Sequence, residues 1–171
     1  VEKCYNLWQS GKAPINKPGT FGKDGQVKIV QKVKIIKPVS EVFNFITDVT
    51  KAPQWAGLIE AVIVTSSGPI LVGSHGINRM KLLWKRAEVG WLITELEQDR
   101  RFIVKSTSGP VEGVYDYVFK PSENGTILSL SMEVVLKGYL KFLEPLFNPT
   151  LSPQISRDLE ILKGLLEGKI S

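Results

Sequence analysis

The sequence predicts an α+β fold in which a curved antiparallel β-sheet wraps around a long C-terminal α-helix, with two short helices after the first strand. Three observations predict it: period-two alternation in several separated segments, one switch from strand to helical spacing across residues 34–55, and a single apolar stripe at the end of the chain. Strands with one wet face alternate in this way, and such strands belong mostly to antiparallel sheets.

Residues 26–36 set Val27, Ile29, Val33 and Ile35 against Lys28, Lys32 and Lys34, so the odd positions are the buried set. Pro38 fixes φ where a helix can begin and loses only an N–H that the first turn leaves unpaired. Val42, Phe43, Phe45 and Ile46 then follow helical spacing. Asp48 and Thr50 offer acceptors for a second helical start, with Pro53 just inside it and Trp55 on a brief second turn. Residues 61–65 return to extended structure. In residues 76–84, Asn78, Met80, Leu82 and Trp84 share a face opposite Arg79, Lys81 and Lys85, and the same parity selects Phe102 and Val104 against Arg101 and Lys105. Tyr115, Tyr117 and Phe119 form the inward side of the next strand. A turn is expected over residues 121–125, and Leu128, Leu130, Met132, Val134 and Leu136 alternate beyond it in a strand antiparallel to its predecessor.

The chain ends in a stripe of Leu151, Ile155, Leu159, Leu162 and Leu166, with Arg157, Glu160, Lys163 and Glu167 outward. An interior proline costs about 3 kcal/mol or more, and Pro145, Pro149 and Pro153 precede that stripe. The expectation is therefore a short helix over residues 139–147, a break, and a long helix over residues 152–168 capped by Ser152. At the other end, Pro14, Pro18, Gly19, Gly22 and Gly25 interrupt any period, which makes residues 1–25 an extended N-terminal arm and residues 26–171 the folded domain. Tyr5, Leu7, Trp8 and Phe21 in that arm either pack on the domain's own surface, close over a cavity, or contact a protein partner or second copy.

The 171 residues are 43% hydrophobic, enough for one sizeable core. Net charge is +5, yet Lys and Arg are scattered, and no nucleic-acid partner is expected. The lone Cys4 excludes an internal disulfide and fits a reducing, cytoplasmic setting. No apolar run reaches the length of about 18 residues that stable membrane insertion requires, and no charged-then-apolar leader follows Val1, which is itself not a natural first residue.

Pro38, Val42, Phe43, Asp48, Pro53 and Trp55, followed by Gly73, the Ile93, Thr94 and Glu95 run, Gly125 with Thr126, and the Leu159, Leu162, Lys163 and Glu167 helix, carry a family resemblance. Together they resemble the START/Bet v 1-like (SRPBCC) superfamily in its polyketide cyclase/dehydrase-like branch, over residues 26–168. The resemblance implies the helix-grip fold, with an apolar cavity between the curved sheet and the terminal helix. It leaves function open, since members include lipid and hormone carriers as well as cyclases.

Chemistry-bearing groups are sparse. His75 is the single histidine and shares the outward parity of Arg79 and Lys81, so it reads as a solvated residue rather than a base. No metal site is expected without clustered His or Cys, and no nucleotide cofactor without a Walker loop or a G-x-G-x-x-G turn. Inward parity and the helix stripe predict a ligand cavity lined by Trp55, Asn78, Met80, Leu82, Trp84, Phe102, Val104, Tyr115, Tyr117, Met132, Phe147, Leu151 and Ile155. The catalytic candidates are Tyr115, Tyr117, and Glu95, whose carboxyl would titrate high in an apolar pocket but which also reads as surface charge beside Arg100 and Arg101. The leading expectation is binding or transport of a small, largely hydrophobic molecule of lipid, polyketide or aromatic type. The alternatives are a polyketide cyclase/dehydratase-like enzyme using a pocket carboxylate or tyrosine, and an interaction module whose core is filled.

Overall fold

The first alternating segment forms β2 (Gln26–Ile35), preceded by a two-residue strand β1 (Thr20–Phe21). The computed structural model describes residues 20–21, 26–82 and 85–170. In β2 the odd-numbered Val27, Ile29, Val33 and Ile35 are buried, while Lys32 and Lys34 are exposed, as period two requires. Thr20 and Phe21 pair with Lys28 and Val27. The rest of the expected arm, and with it any lid or partner contact, lies outside the described residues.

α1 (Val39–Thr47) begins directly after Pro38, whose carbonyl accepts the Glu41 and Val42 N–H groups at 3.1 and 3.2 Å. It buries Val42, Phe43 and Ile46, and Phe43 meets Phe119 edge-on at a ring separation of 5.2 Å. A 3-10 turn follows over Val49–Gln54, with Asp48 at its start. The Asp48 carboxylate accepts the Thr50 hydroxyl at 2.6 Å and pairs with Lys51 at 3.2 Å. Trp55 closes this turn and is buried. The two short helices are those the sequence predicts.

The chain continues through β3 (Ile59–Val64), β4 (His75–Leu82), β5 (Lys85–Glu97), β6 (Arg101–Ser108), β7 (Val111–Ser122) and β8 (Gly125–Leu136). Among the described residues these make one eight-stranded sheet, ordered β1-β2-β8-β7-β6-β5-β4-β3, with every neighbouring pair antiparallel. β2 and β8 pair without a register shift from Gln26↔Val135 to Ile35↔Thr126, which fixes their buried sets on one face. The helical segment after β2 therefore carries the chain to the far edge of a curved sheet, where β3 begins. The expected turn over residues 121–125 is shorter than predicted. Pro121 and Ser122 still pair with Thr126 and Gly125, and only Glu123 and Asn124 form the turn. A proline is tolerated so close to a strand end because little of the ladder remains beyond it.

α2 (Glu144–Leu166) corrects the expected break, because it runs unbroken through Pro149 and Pro153 after a 3-10 turn over Gly138–Leu143. Pro145 falls in the first turn, where its missing N–H has no intrahelical partner to lose. Pro149 and Pro153 stand four residues apart on one side of the helix, so each forgoes one backbone bond while the bonds on the other side persist. Burial of Leu151, Ile155, Leu159 and Leu162 against the sheet offsets that loss. Ser152 is consequently no cap. Its hydroxyl accepts the Gln31 amide at 3.2 Å and ties the helix to β2. At the far end Glu167 accepts the Ile36 N–H at 2.8 Å, and Gly168, at φ 68°, supplies the left-handed residue that ends the helix.

Leu162 has no exposed surface and sits where the helix stripe meets the sheet. Leu162→Ala should lower unfolding free energy by about 2–5 kcal/mol, measured by urea denaturation. A loss under about 1 kcal/mol would mean that the helix is not held by this stripe.

Candidate functional site

The apolar faces of the sheet and of α2 do not fill the space between them. They leave a cavity of about 130 Å³, on the order of what one small aromatic ring occupies. Ten of the residues expected in the wall line it: Trp55, Asn78, Met80, Phe102, Val104, Tyr115, Tyr117, Met132, Leu151 and Ile155. The side chains of Leu82 and Phe147, and all of Trp84, lie outside the described residues.

Polar atoms in the wall come from Asn78, Ser106, Tyr115, Tyr117, Asp158 and the indoles of Trp55 and Trp91, of which Trp91 Nε1 is buried without a hydrogen-bond partner among the described residues. Burial raises the Tyr115 hydroxyl above its ordinary value, against a hydrogen bond from Ser106. Burial likewise raises Tyr117, reinforced by the charges of Tyr115 and Asp158. Both stay phenols at neutral pH and keep a proton to donate. Tyr117 stacks on its cross-strand neighbour Phe102 at 5.6 Å, which fixes its ring.

Glu95 stands elsewhere. Ile93 pairs with Val104, but Glu95 pairs with Ile103, so a bulge at Thr94 shifts the parity of the strand between them. Val104 faces the cavity and Ile103 the opposite side, so Glu95 leaves the cavity face. There it pairs with Arg101 at 3.1 Å, and Arg101 reaches Asp116 with both Nε and Nη2, at 3.0 and 2.9 Å. The ordinary-charge reading of Glu95 describes this cluster, in which one guanidinium holds two carboxylates. His75 is exposed, its Nδ1 3.1 Å from the Gly73 carbonyl oxygen, and takes no part in the wall.

Trp91 and Asp158 are among the wall residues that sequence reasoning missed. Trp91 is buried on the inner face of β5, opposite Gly76, where a Cβ would collide with the Ile63 carbonyl and with the indole itself. The alternation of Val89, Trp91 and Ile93 was its signal. Asp158 is only 3% exposed. It stands three residues after Ile155 and seven after Leu151, inside the apolar stripe by helical spacing. Its Oδ1 accepts the Gly57 N–H at 3.2 Å and the Gln154 amide at 2.7 Å, which joins α2 to the loop after Trp55. Burial raises its carboxyl above the ordinary value; those two hydrogen bonds and the charge of Arg157 oppose the shift without cancelling it.

Among the described residues no three His, Cys, Asp or Glu side chains are grouped to hold a metal ion, and no helix is long and apolar enough to cross a membrane.

Residues 26–167 match the sequence family described as polyketide cyclase / dehydrase and lipid transport. No curated protein sequence matches the chain. Among solved structures, TTHA0849 from Thermus thermophilus superposes with a TM-score of 0.71 at 16% identity, covering 84% of this chain and 99% of the other. The Zhui aromatase/cyclase of Streptomyces sp. R1128 gives 0.71 at 13% identity, covering 85% and 96%. A START superfamily protein of Mycobacterium smegmatis gives 0.63 at 14%, covering 84% and 96%. At such identities the likeness is one of fold, the helix-grip.

The position of Asp158 has a consequence for stability. Its folded carboxyl holds its proton to higher pH than the unfolded one, so over a window opening at the ordinary value of 3.8 the folded state binds more protons and stability falls as pH rises. Asp158→Asn carries no such proton. Its stability relative to the parent should therefore improve between about pH 3 and about pH 7, as read by urea denaturation at each pH. A difference that is flat or moves the other way removes the burial argument.

Proposed function

This chain belongs to the polyketide cyclase/dehydrase and lipid transport family, and on that footing we propose that it binds and carries a small, largely hydrophobic molecule of lipid, polyketide or aromatic type between its sheet and C-terminal helix. The observation that supports this most is the composition of the cavity wall. Trp55, Met80, Trp91, Phe102, Met132 and Leu151 give it an apolar surface against which a ligand loses water. The driving force is burial of apolar area at roughly 25 cal/mol per Å², and the polar atoms of Asn78, Tyr115 and Tyr117 fix orientation. A single ring is accommodated at the present volume.

A second reading, proton-transfer chemistry of the cyclase/dehydratase kind, draws support from Asp158, a buried carboxyl close enough to Tyr117 to shift its titration. In that reading the acid/base groups are Asp158, Tyr115 and Tyr117, and Glu95 drops out because its side chain faces away from the cavity.

Binding can be followed with fluorobenzene by fluorine NMR. The parent should give a saturable bound signal, and Met80→Trp, which adds an indole at the cavity wall, should abolish it while circular dichroism stays unchanged. Unaltered binding in that variant would place the ligand elsewhere. His75→Ala, on the exposed face, should bind the same probe within about twofold of the parent; a larger loss would bring His75 back to the site.

A further inference from the structure

Asp158 places a carboxylate in the wall of an apolar cavity with only one of its two oxygens engaged. Both of its hydrogen bonds, from Gly57 N–H and from the Gln154 amide, end on Oδ1. Oδ2 has no hydrogen-bond partner among the described residues. The residue is 3% exposed and lines the cavity, so the space that Oδ2 can meet is the cavity itself. No Lys, Arg or His of the described residues lines that space to neutralise it. Tyr115 accepts from Ser106 and Tyr117 meets Asp158 through charge, and neither hydroxyl is bonded to Oδ2. An acceptor so placed takes its hydrogen bond from water or from a donor that enters the cavity and displaces it.

We infer that the cavity selects a ring-sized apolar molecule bearing a hydroxyl, a phenol or alicyclic alcohol, whose O–H donates to Oδ2 of Asp158. The inference rests on the carrier reading above and adds the chemistry of the ligand to it. The cavity volume of about 130 Å³ sets the size of the ring, and Oδ2, an open carboxylate acceptor in this wall, sets the functional group that meets it. A ligand offering only an ether or carbonyl oxygen at that point would set acceptor against acceptor, so selection works by rejection as well as by attraction.

The test is competition against fluorobenzene, followed by fluorine NMR at about pH 8 to keep the carboxyl ionised, with para-fluorophenol, para-fluoroanisole and para-fluorobenzaldehyde. The parent should bind para-fluorophenol about tenfold or more tighter than fluorobenzene, and para-fluoroanisole, its hydroxyl capped, no tighter than fluorobenzene. In Asp158→Asn the amide oxygen can keep the bonds from Gly57 and Gln154, which turns an NH₂ group toward the cavity. The preference should then pass from para-fluorophenol to para-fluorobenzaldehyde. A purely structural role for Asp158 would weaken all probes together and reverse none. Para-fluorophenol binding no tighter than fluorobenzene in the parent would overturn the inference while leaving the carrier reading intact, as would a phenol preference that survives in Asp158→Asn. Failure of every probe, fluorobenzene included, would overturn both. If the variant does not fold, the parent's choice between para-fluorophenol and para-fluoroanisole decides alone.

Discussion

One helix must cover the inner face of a sheet that is wider than the helix, and the rest of the molecule follows from that mismatch. A helix with its side chains is about 10–12 Å across, while strands lie about 4.8 Å apart, so α2 can plug only part of an eight-stranded face. Curvature brings the remaining strands toward it, and α1 with the Val49–Gln54 turn supports the far side through Val42, Phe43 and Trp55. The space still left over is the cavity. It arises from the geometry of closing a sheet with a single helix, and the side chains that line it are core residues whose partners stop short of one another.

The inner face depends on register, and register is set unevenly along the sheet. β2, β8 and β7 pair residue for residue, so the inward positions of all three strands follow from a single parity. β5 and β6 do not. Bulges between Gly90 and Trp91 and between Ile93 and Glu95 change the parity twice. The second sends Glu95 to the outer face, where Arg101 joins it to Asp116. A carboxylate two residues further along a regular strand from Ile93 would have pointed into the cavity without a basic partner. The bulge thus converts a costly buried charge into an ion-paired cluster that is still partly wet.

This unevenness explains which parts of the molecule could be read from the sequence. The strands were legible wherever pairing is regular, because alternation reports the buried face directly: Tyr115, Tyr117 and Met132 on β7 and β8 all fall in the cavity wall. The helical segment after β2 was legible because Pro38 and the spacing of Val42, Phe43 and Ile46 are local signals. The continuity of α2 was not. Proline's cost is local, whereas the burial that offsets it comes from strands distant in sequence. Glu95 was ambiguous because a bulge inserts a residue without announcing it in composition. Asp158 was hidden differently, since a lone carboxylate at the edge of an apolar stripe looks like the start of the polar face until the width of the buried stripe is known.

Asp158 is also where local preference and global fold disagree most. A hydrophobic residue at that position would pack against Ile155 and Leu159 with no polar atom to satisfy. The carboxylate instead needs the Gly57 N–H and the Gln154 amide, and it pins the Trp55 loop to α2 through a single oxygen. If pinning were its whole effect, a neutral acceptor such as Asn would achieve it with less desolvation. Only a group with a second acceptor oxygen presents one face to the loop and another to the cavity, and in this wall that second face has no protein donor among the described residues. Departures of this kind from the pattern of a well-packed core tend to mark sites rather than scaffolding. This one stands on the same helix that closes the sheet, so whatever enters the cavity meets the element on which the fold depends.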